Sequence, residues 1–230
     1  MNAFSTRMSL FAISLLLFFV TGLKPAHGGW RRNPVTITDG QLNPEFFGAK
    51  FNRFLIATIN VPPDFREPME ALTAARISRF VKDRWHGTYD DIAIGFRKLF
   101  PEPVFQKDKK YEPQFLLDRI KQEKIDVLVL INIVNEGGKN IEDVETLSDA
   151  LQYSGNYVHD ISSVKSYRFC KITLFDIQSG KQIWKGDGIV KAKPGTKNWY
   201  HESASTLSKY LVSRLAKDGV LRKIEAQGAQ

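Results

Sequence analysis

The chain has 230 residues, a formal net charge of +8 and one cysteine. That length is ample for a single domain with a filled core. One cysteine excludes an intramolecular disulfide, so packing must supply the stability.

The N-terminus is set apart first. Arg7 precedes the apolar run 10–20, and residues 21–28 end in Ala26-His27-Gly28. A basic start, an apolar stretch too short to span a bilayer and small residues before the break predict a secretory signal peptide over 1–28, cleaved after Gly28. An uncleaved membrane anchor is the rival reading. The leader holds Arg7 and Lys24 and no acidic residue, so removing it leaves 202 residues with a net charge of +6. No later run approaches transmembrane length, because the longest, 127–131, stops at Asn132. The expected address is periplasmic or secreted. An exported chain with a mild basic excess is no nucleic-acid binder; its expected partners are an envelope protein or an anionic cell-wall or lipid component.

Residues 29–50 contain Arg31-Arg32-Asn33-Pro34 and Asn43-Pro44 and read as a leading arm, with a short strand at 35–37. Residues 52–61 are apolar on both faces, the pattern of a strand covered on both sides, and Pro62-Pro63 ends it. From Pro68 to Trp85, Met69, Leu72, Ile77, Phe80 and Val81 recur at helical steps. Thr88 as N-cap, with Asp90 and Asp91 in the first turn, predicts a second helix running to Phe100. An edge strand is expected at 103–106, then a basic loop at 107–110. Pro113 suits a first helical turn, and Phe115, Leu116, Leu117 and Ile120 give that helix its inner face to about Glu123. The Val/Ile/Leu run 125–133 follows at once as an interior strand of a layered sheet.

Residues 135–166 differ in kind, with six acidic residues against two lysines, which leaves +10 on the rest of the processed chain. They read as an extended surface excursion, of the sort that often carries function, with a short helix at 144–151 as the alternative. Two β-prone runs, 167–177 and 182–193, then flank the turn Gln178-Ser179-Gly180-Lys181 and predict a hairpin. Cys170, Ile172 and Leu174 fall on one face, Phe169, Thr173 and Phe175 on the other, so the ribbon is expected inside a covered sheet with Cys170 a buried, inert thiol. A last helix has Ala204, Leu207, Leu211, Val212 and Leu215 inside, and Gly219-Val220 is its C-cap. Residues 222–230 form a tail.

The expected architecture is thus α/β: a single-domain mixed sheet over residues 51–221 with helices packed on it, a C-terminal antiparallel hairpin and a closing helix. Three stretches carry a family likeness: Lys124-Ile-Asp-Val-Leu-Val-Leu130, Leu174-Phe-Asp-Ile-Gln-Ser-Gly-Lys-Gln-Ile-Trp184 and Leu215-Ala-Lys-Asp-Gly-Val-Leu221. In this order the chain resembles the bacterial envelope α/β domains of penicillin-binding-protein activator lipoproteins, the curli-secretion channel lipoprotein and the N-terminal domain of the Tol–Pal translocation protein. The resemblance covers roughly residues 50–221 and implies a non-catalytic protein that binds or positions other envelope components. The chain departs from the lipoproteins in having no cysteine near the expected cleavage site.

Catalytic and metal signals are sparse. His86, His159 and His201 are not spaced as metal ligands with acidic or sulfur partners, and no cofactor motif is present. There is no Gly-x-Ser-x-Gly elbow. Gly138-Lys139 and Gly180-Lys181 lack the upstream glycine and following Ser/Thr of a phosphate loop. The candidate binding residues are Trp184, Lys185, Lys191, Lys193, Trp199 and Tyr200, an aromatic and basic segment suited to a glycan, an anionic polymer or a protein. The alternative is that Trp184 packs in the core and the lysines guard an exposed strand. The reading is an exported, non-catalytic envelope-binding protein. Its rivals are a carboxylate-dependent hydrolase acting on cell-wall or small-molecule substrates and a small-ligand carrier, which needs an apolar cavity under the sheet.

Overall fold

Alternating and continuously apolar segments converge on one six-stranded mixed sheet. The computed structural model describes residues 35–61, 63–81, 92–101, 112–135, 144–155, 167–191 and 199–222. The described elements all belong to one compact unit, Asn33–Gln230. The expected signal peptide, the Thr88 cap, the 103–106 strand with its basic loop and the tail beyond Arg222 lie outside the described residues.

In chain order the elements are β1 (Val35–Leu42), a 3₁₀ turn (Pro44–Phe46), β2 (Phe54–Ile59), α1 (Pro63–Val81), β3 (Ala93–Gly95), α2 (Phe96–Leu99), α3 (Pro113–Gln122), β4 (Val127–Asn135), α4 (Leu147–Gly155), β5 (Tyr167–Asp176), β6 (Gln182–Lys191) and α5 (Trp199–Lys217). The strand order is β1-β6-β5-β4-β2-β3. β4, β2 and β3 run parallel, and β4, β5, β6 and β1 alternate in direction. The α/β class, the hairpin and the closing helix are as the sequence predicts.

Two cores sandwich the sheet. On one face α1 and α5 cover Phe54 and Ile56 of β2, Val127–Ile133 at alternate positions of β4, Cys170, Ile172 and Leu174 of β5, and Trp184 of β6. On the other face α2, α3 and α4 cover Leu55, Ala57 and Ile59 of β2, Leu128 and Leu130 of β4, and Phe175 near the hairpin turn. β2 is buried along its whole length, which is why it shows no alternation. α1 and α5 lie side by side and are joined by a 2.9 Å hydrogen bond from Arg76 Nη2 to Ser205 Oγ.

Four expectations change. The leading arm holds a full edge strand: β1 runs to Leu42, well past residue 37, and pairs with β6. α1 begins at Pro63 rather than Pro68, with Pro68 inside it. The expected helix to Phe100 is interrupted by β3, because Ala93, Ile94 and Gly95 hydrogen-bond to β2 and only four helical residues follow. The middle of the acidic stretch is not a surface excursion. α4 buries Leu147, Ala150 and Leu151 against the sheet. Thr146 starts that helix by accepting the Asp149 N–H at 3.1 Å.

One contact locks the hairpin to the closing helix. The indole N–H of the fully buried Trp184 donates to Asp218 Oδ2 at 2.8 Å, and Arg214 Nε donates to the same oxygen at 2.8 Å. The ring lies on two glycines: a Cβ at Gly186 would sit 2.4 Å from it and one at Gly40 2.8 Å. Gly219, at φ +79°, ends α5 in a Schellman motif, with Val220 N–H donating to Leu215 O at 2.9 Å and Gly219 N–H to Ala216 O at 3.2 Å.

Trp184→Phe removes the indole N–H and one of its two fused rings, so the lost hydrogen bond and the cavity left behind should together cost about 1–3 kcal/mol. Gly186→Ala should cost a similar ~1–3 kcal/mol by overpacking the ring. Guanidinium denaturation of both variants tests this; wild-type midpoints in both would sink the assignment.

Candidate functional site

The two faces of the sheet are not closed equally. Beyond Phe175, no described helix covers the second face over β5, β6 and β1. Paired residues of neighbouring strands point to the same side, so this open half is organised in cross-strand rungs. One rung is Asn132, Lys171, Asp187 and Thr38; the next is Leu130, Thr173, Lys185 and Gln41. On the far side of the first comes Val134, Phe169, Ile189 and Thr36. Phe169 is 44% exposed and Ile189, directly opposite it, 36%.

Asn132, Lys171 and Asp187 of the first rung, with Leu130, Thr173, Lys185 and Gln41 of the next, line a groove of about 460 Å³. Glu145, just ahead of α4, and Gln182, at the start of β6, also line it. Among the described residues its charged groups are two lysines and two carboxylates, Lys171 and Lys185 with Glu145 and Asp187. The groove is polar and lies on the sheet, unlike the apolar cavity under the sheet that a small-ligand carrier needs.

Two further polar contacts lie at the carboxyl end of β2. Asn60, in the left-handed region at φ +58°, donates through Nδ2 to Asn132 Oδ1 at 2.7 Å. Glu70 of α1 is buried there, and its two oxygens accept main-chain hydrogens from different segments. Oε1 takes the Thr58 N–H at 3.0 Å, beyond the point where β3 has ended, and Oε2 takes the Arg97 N–H in the first turn of α2, also at 3.0 Å. Burial pushes the Glu70 carboxyl up from 4.5 to about 7, against the opposing pull of those two hydrogen bonds and of the Arg66 and Arg97 charges. With both oxygens engaged by the main chain, Glu70 acts as a strap between β2, the end of β3 and α2.

Of the residues singled out from sequence, Lys185 lines the groove. Trp184, its neighbour, points to the opposite face and is core, so it is no contact residue; successive strand residues alternate in direction. Trp199 and Tyr200 open α5 and Lys191 closes β6, but their side chains, and Lys193 altogether, lie outside the described residues. Cys170 is buried, and burial, followed by the Asp187 charge, pushes its thiol up to about 12. Lys181, of the Gly-Lys turn, pairs with Glu45 at 2.7 Å. His201 is exposed on α5, while His86 and His159 lie outside the described residues.

Sequence reasoning missed the groove and Glu70. The groove had a signal, since Lys171, Thr173, Lys185 and Asp187 are alternate polar residues in otherwise apolar runs. Glu70 had none, because a glutamate in a helix reads as solvent-facing until the fold buries it.

No protein-family model matches the sequence, and no curated protein matches it. Among solved structures the chain is similar to the PelC dodecamer from Paraburkholderia phytofirmans, at 11% identity and a TM-score of 0.39, over 84% of this chain and 99% of that one. It is also similar to the lipoprotein GNA1162 from Neisseria meningitidis, at 16% identity and a TM-score of 0.35, over 73% of this chain and 95% of that one. Neither is named as one of the three envelope proteins that the sequence motifs resemble. At these TM-scores the likeness carries no argument, and the fold rests on this chain's own strand order.

Because the folded-state value for Glu70 is raised, the native protein holds a proton that the unfolded chain has released between 4.5 and about 7. The contribution of Glu70 to stability is therefore largest below 4.5 and falls as pH rises to 7, by on the order of 3 kcal/mol. Glu70→Gln should flatten that slope. Melting temperatures between pH 4.5 and 8 check it, and parallel profiles for the two proteins would refute the assignment.

Proposed function

We propose that this is an exported envelope protein that acts by binding, and that its contact face is the open half of the sheet over β5, β6 and β1. The observation that carries this is the asymmetry of closure. The same hairpin is sealed by α1 and α5 on one side, while its other side presents a polar groove and the exposed Phe169–Ile189 pair. An apolar cross-strand pair left in water beside a concave polar surface is the pattern of an interaction site. The signal-peptide pattern of residues 1–28 supports export, and no helix among the described residues is long and apolar enough to cross a membrane. The bound component belongs to the envelope and meets the face from the periplasmic or external side. Relationship to the penicillin-binding-protein activator class is part of the same proposal and rests on the three sequence stretches alone.

A hydrolytic reading has one observation in its favour, that Glu145 and Asp187 line the same groove. The two readings separate cleanly. A photoreactive side chain in place of Ile189 should cross-link an envelope component in intact cells, and one in place of Tyr210, exposed on α5, should not. Equal labelling from both positions would overturn the binding face. Turnover of a cross-linked substrate class that is abolished by Asp187→Asn with binding retained would favour the hydrolase.

A further inference from the structure

The proposed contact face contains a groove whose lining carries information about the class of ligand. Resting on the binding reading, we infer that the groove takes a neutral polyhydroxylated chain, a saccharide, lying across β4, β5, β6 and β1.

The first ground is charge. The whole chain is basic at +8, which by itself favours a polyanion, but the groove does not share that bias. Lys171 and Asp187 are register partners on β5 and β6, Lys185 lies one rung on, and Glu145 closes the side. Among the described lining residues a polyanion would meet a carboxylate for every ammonium group, so they give it no net attraction. A neutral ligand that both donates and accepts meets partners of both kinds.

The second ground is hydrogen-bonding character. Between the charges stand Gln41, Thr173 and Gln182. Amides and hydroxyls each donate and accept, as the hydroxyls of a sugar do. Carboxylates and ammonium groups flanking them give acceptor-only and donor-only positions, which fix the orientation of a ring carrying several hydroxyls. An acyl chain would desolvate all of these groups without replacing their hydrogen bonds.

The third ground is the neighbouring rung. Same-face positions along a strand repeat at about 7 Å, so Phe169 and Ile189 lie one rung from Lys171 and Asp187. An apolar step of this kind suits the C–H face of a pyranose whose edge hydroxyls reach the polar rungs. A groove of about 460 Å³ falls in the range of small-molecule clefts.

The test is titration calorimetry of the purified chain with maltoheptaose, cellohexaose and chitohexaose as neutral probes, and with polygalacturonate as a polyanion. At least one neutral probe should bind saturably. Asp187→Ala, Gln41→Ala and Phe169→Ser should each weaken it at least about tenfold, with melting temperature and circular dichroism unchanged. If no neutral probe binds at millimolar concentration but polygalacturonate does, and Lys185→Ala abolishes it, the neutral class is wrong and the inference falls, while the face stands. Neutral binding that ignores all three substitutions places the site elsewhere and overturns the inference. If no probe binds and the Ile189 position gives no cross-link, the binding face falls too.

Discussion

The hydrogen bond from Trp184 to Asp218 joins the two ends of the fold's second half, and much of the remaining geometry depends on it. Trp184 lies in β6, while Asp218 ends α5. Their contact, reinforced by Arg214, sets where the closing helix stops over the sheet. The ring also dictates backbone choice around it: β6 has glycine at 186, and β1 has Gly40 where its register against β6 shifts between Thr38 and Gln41. An edge strand, a hairpin and a helix are therefore registered on one side chain. With one face sealed in this way, the alternation of β6 obliges Lys185 and Asp187 to point to the other.

Glu70 has a comparable role at the parallel end of the sheet. A three-residue edge strand offers little pairing of its own, and beyond it β2 presents an N–H with no strand opposite. A buried carboxylate supplies the acceptor and at the same time holds the first turn of α2. The cost of burying that charge appears as its raised affinity for a proton. The antiparallel end is held by an aromatic ring with one hydrogen bond, the parallel end by an ionisable strap.

These anchors account for where a surface is left over. α3 and α4 pack where β2 and β4 expose continuous aliphatic rows, and their cover ends near Phe175. Past that point the rungs turn polar, and a helix there would have to desolvate lysine, aspartate and glutamine side chains. The open half-sheet follows from composition as much as from connectivity. Two motifs of the family resemblance have structural roles: Asp126 Oδ2 accepts the Asn52 and Arg53 N–H groups, and Asp176 Oδ2 accepts the Ser179 N–H in the hairpin turn. Chemistry that builds turns and strand entries explains why such stretches recur without specifying a ligand.

Elements whose pattern is local were legible in the sequence. The hairpin, the 127–135 strand, α3 and the Gly219 cap each carry periodicity or turn chemistry within a dozen residues. The sequence by itself also determined that the outward positions of the hairpin are polar at 171, 173, 185 and 187. It could not decide which of two alternating faces a helix would cover, because that depends on segments far away along the chain. Trp184 fitted the core as well as a contact surface until Asp218 met it, Ala93–Gly95 read as helix until β2 offered a pairing edge, and Glu70 looked solvated until β2 and α2 closed over it. Burial and pairing are made by distant partners, and the tertiary structure alone brings those partners together.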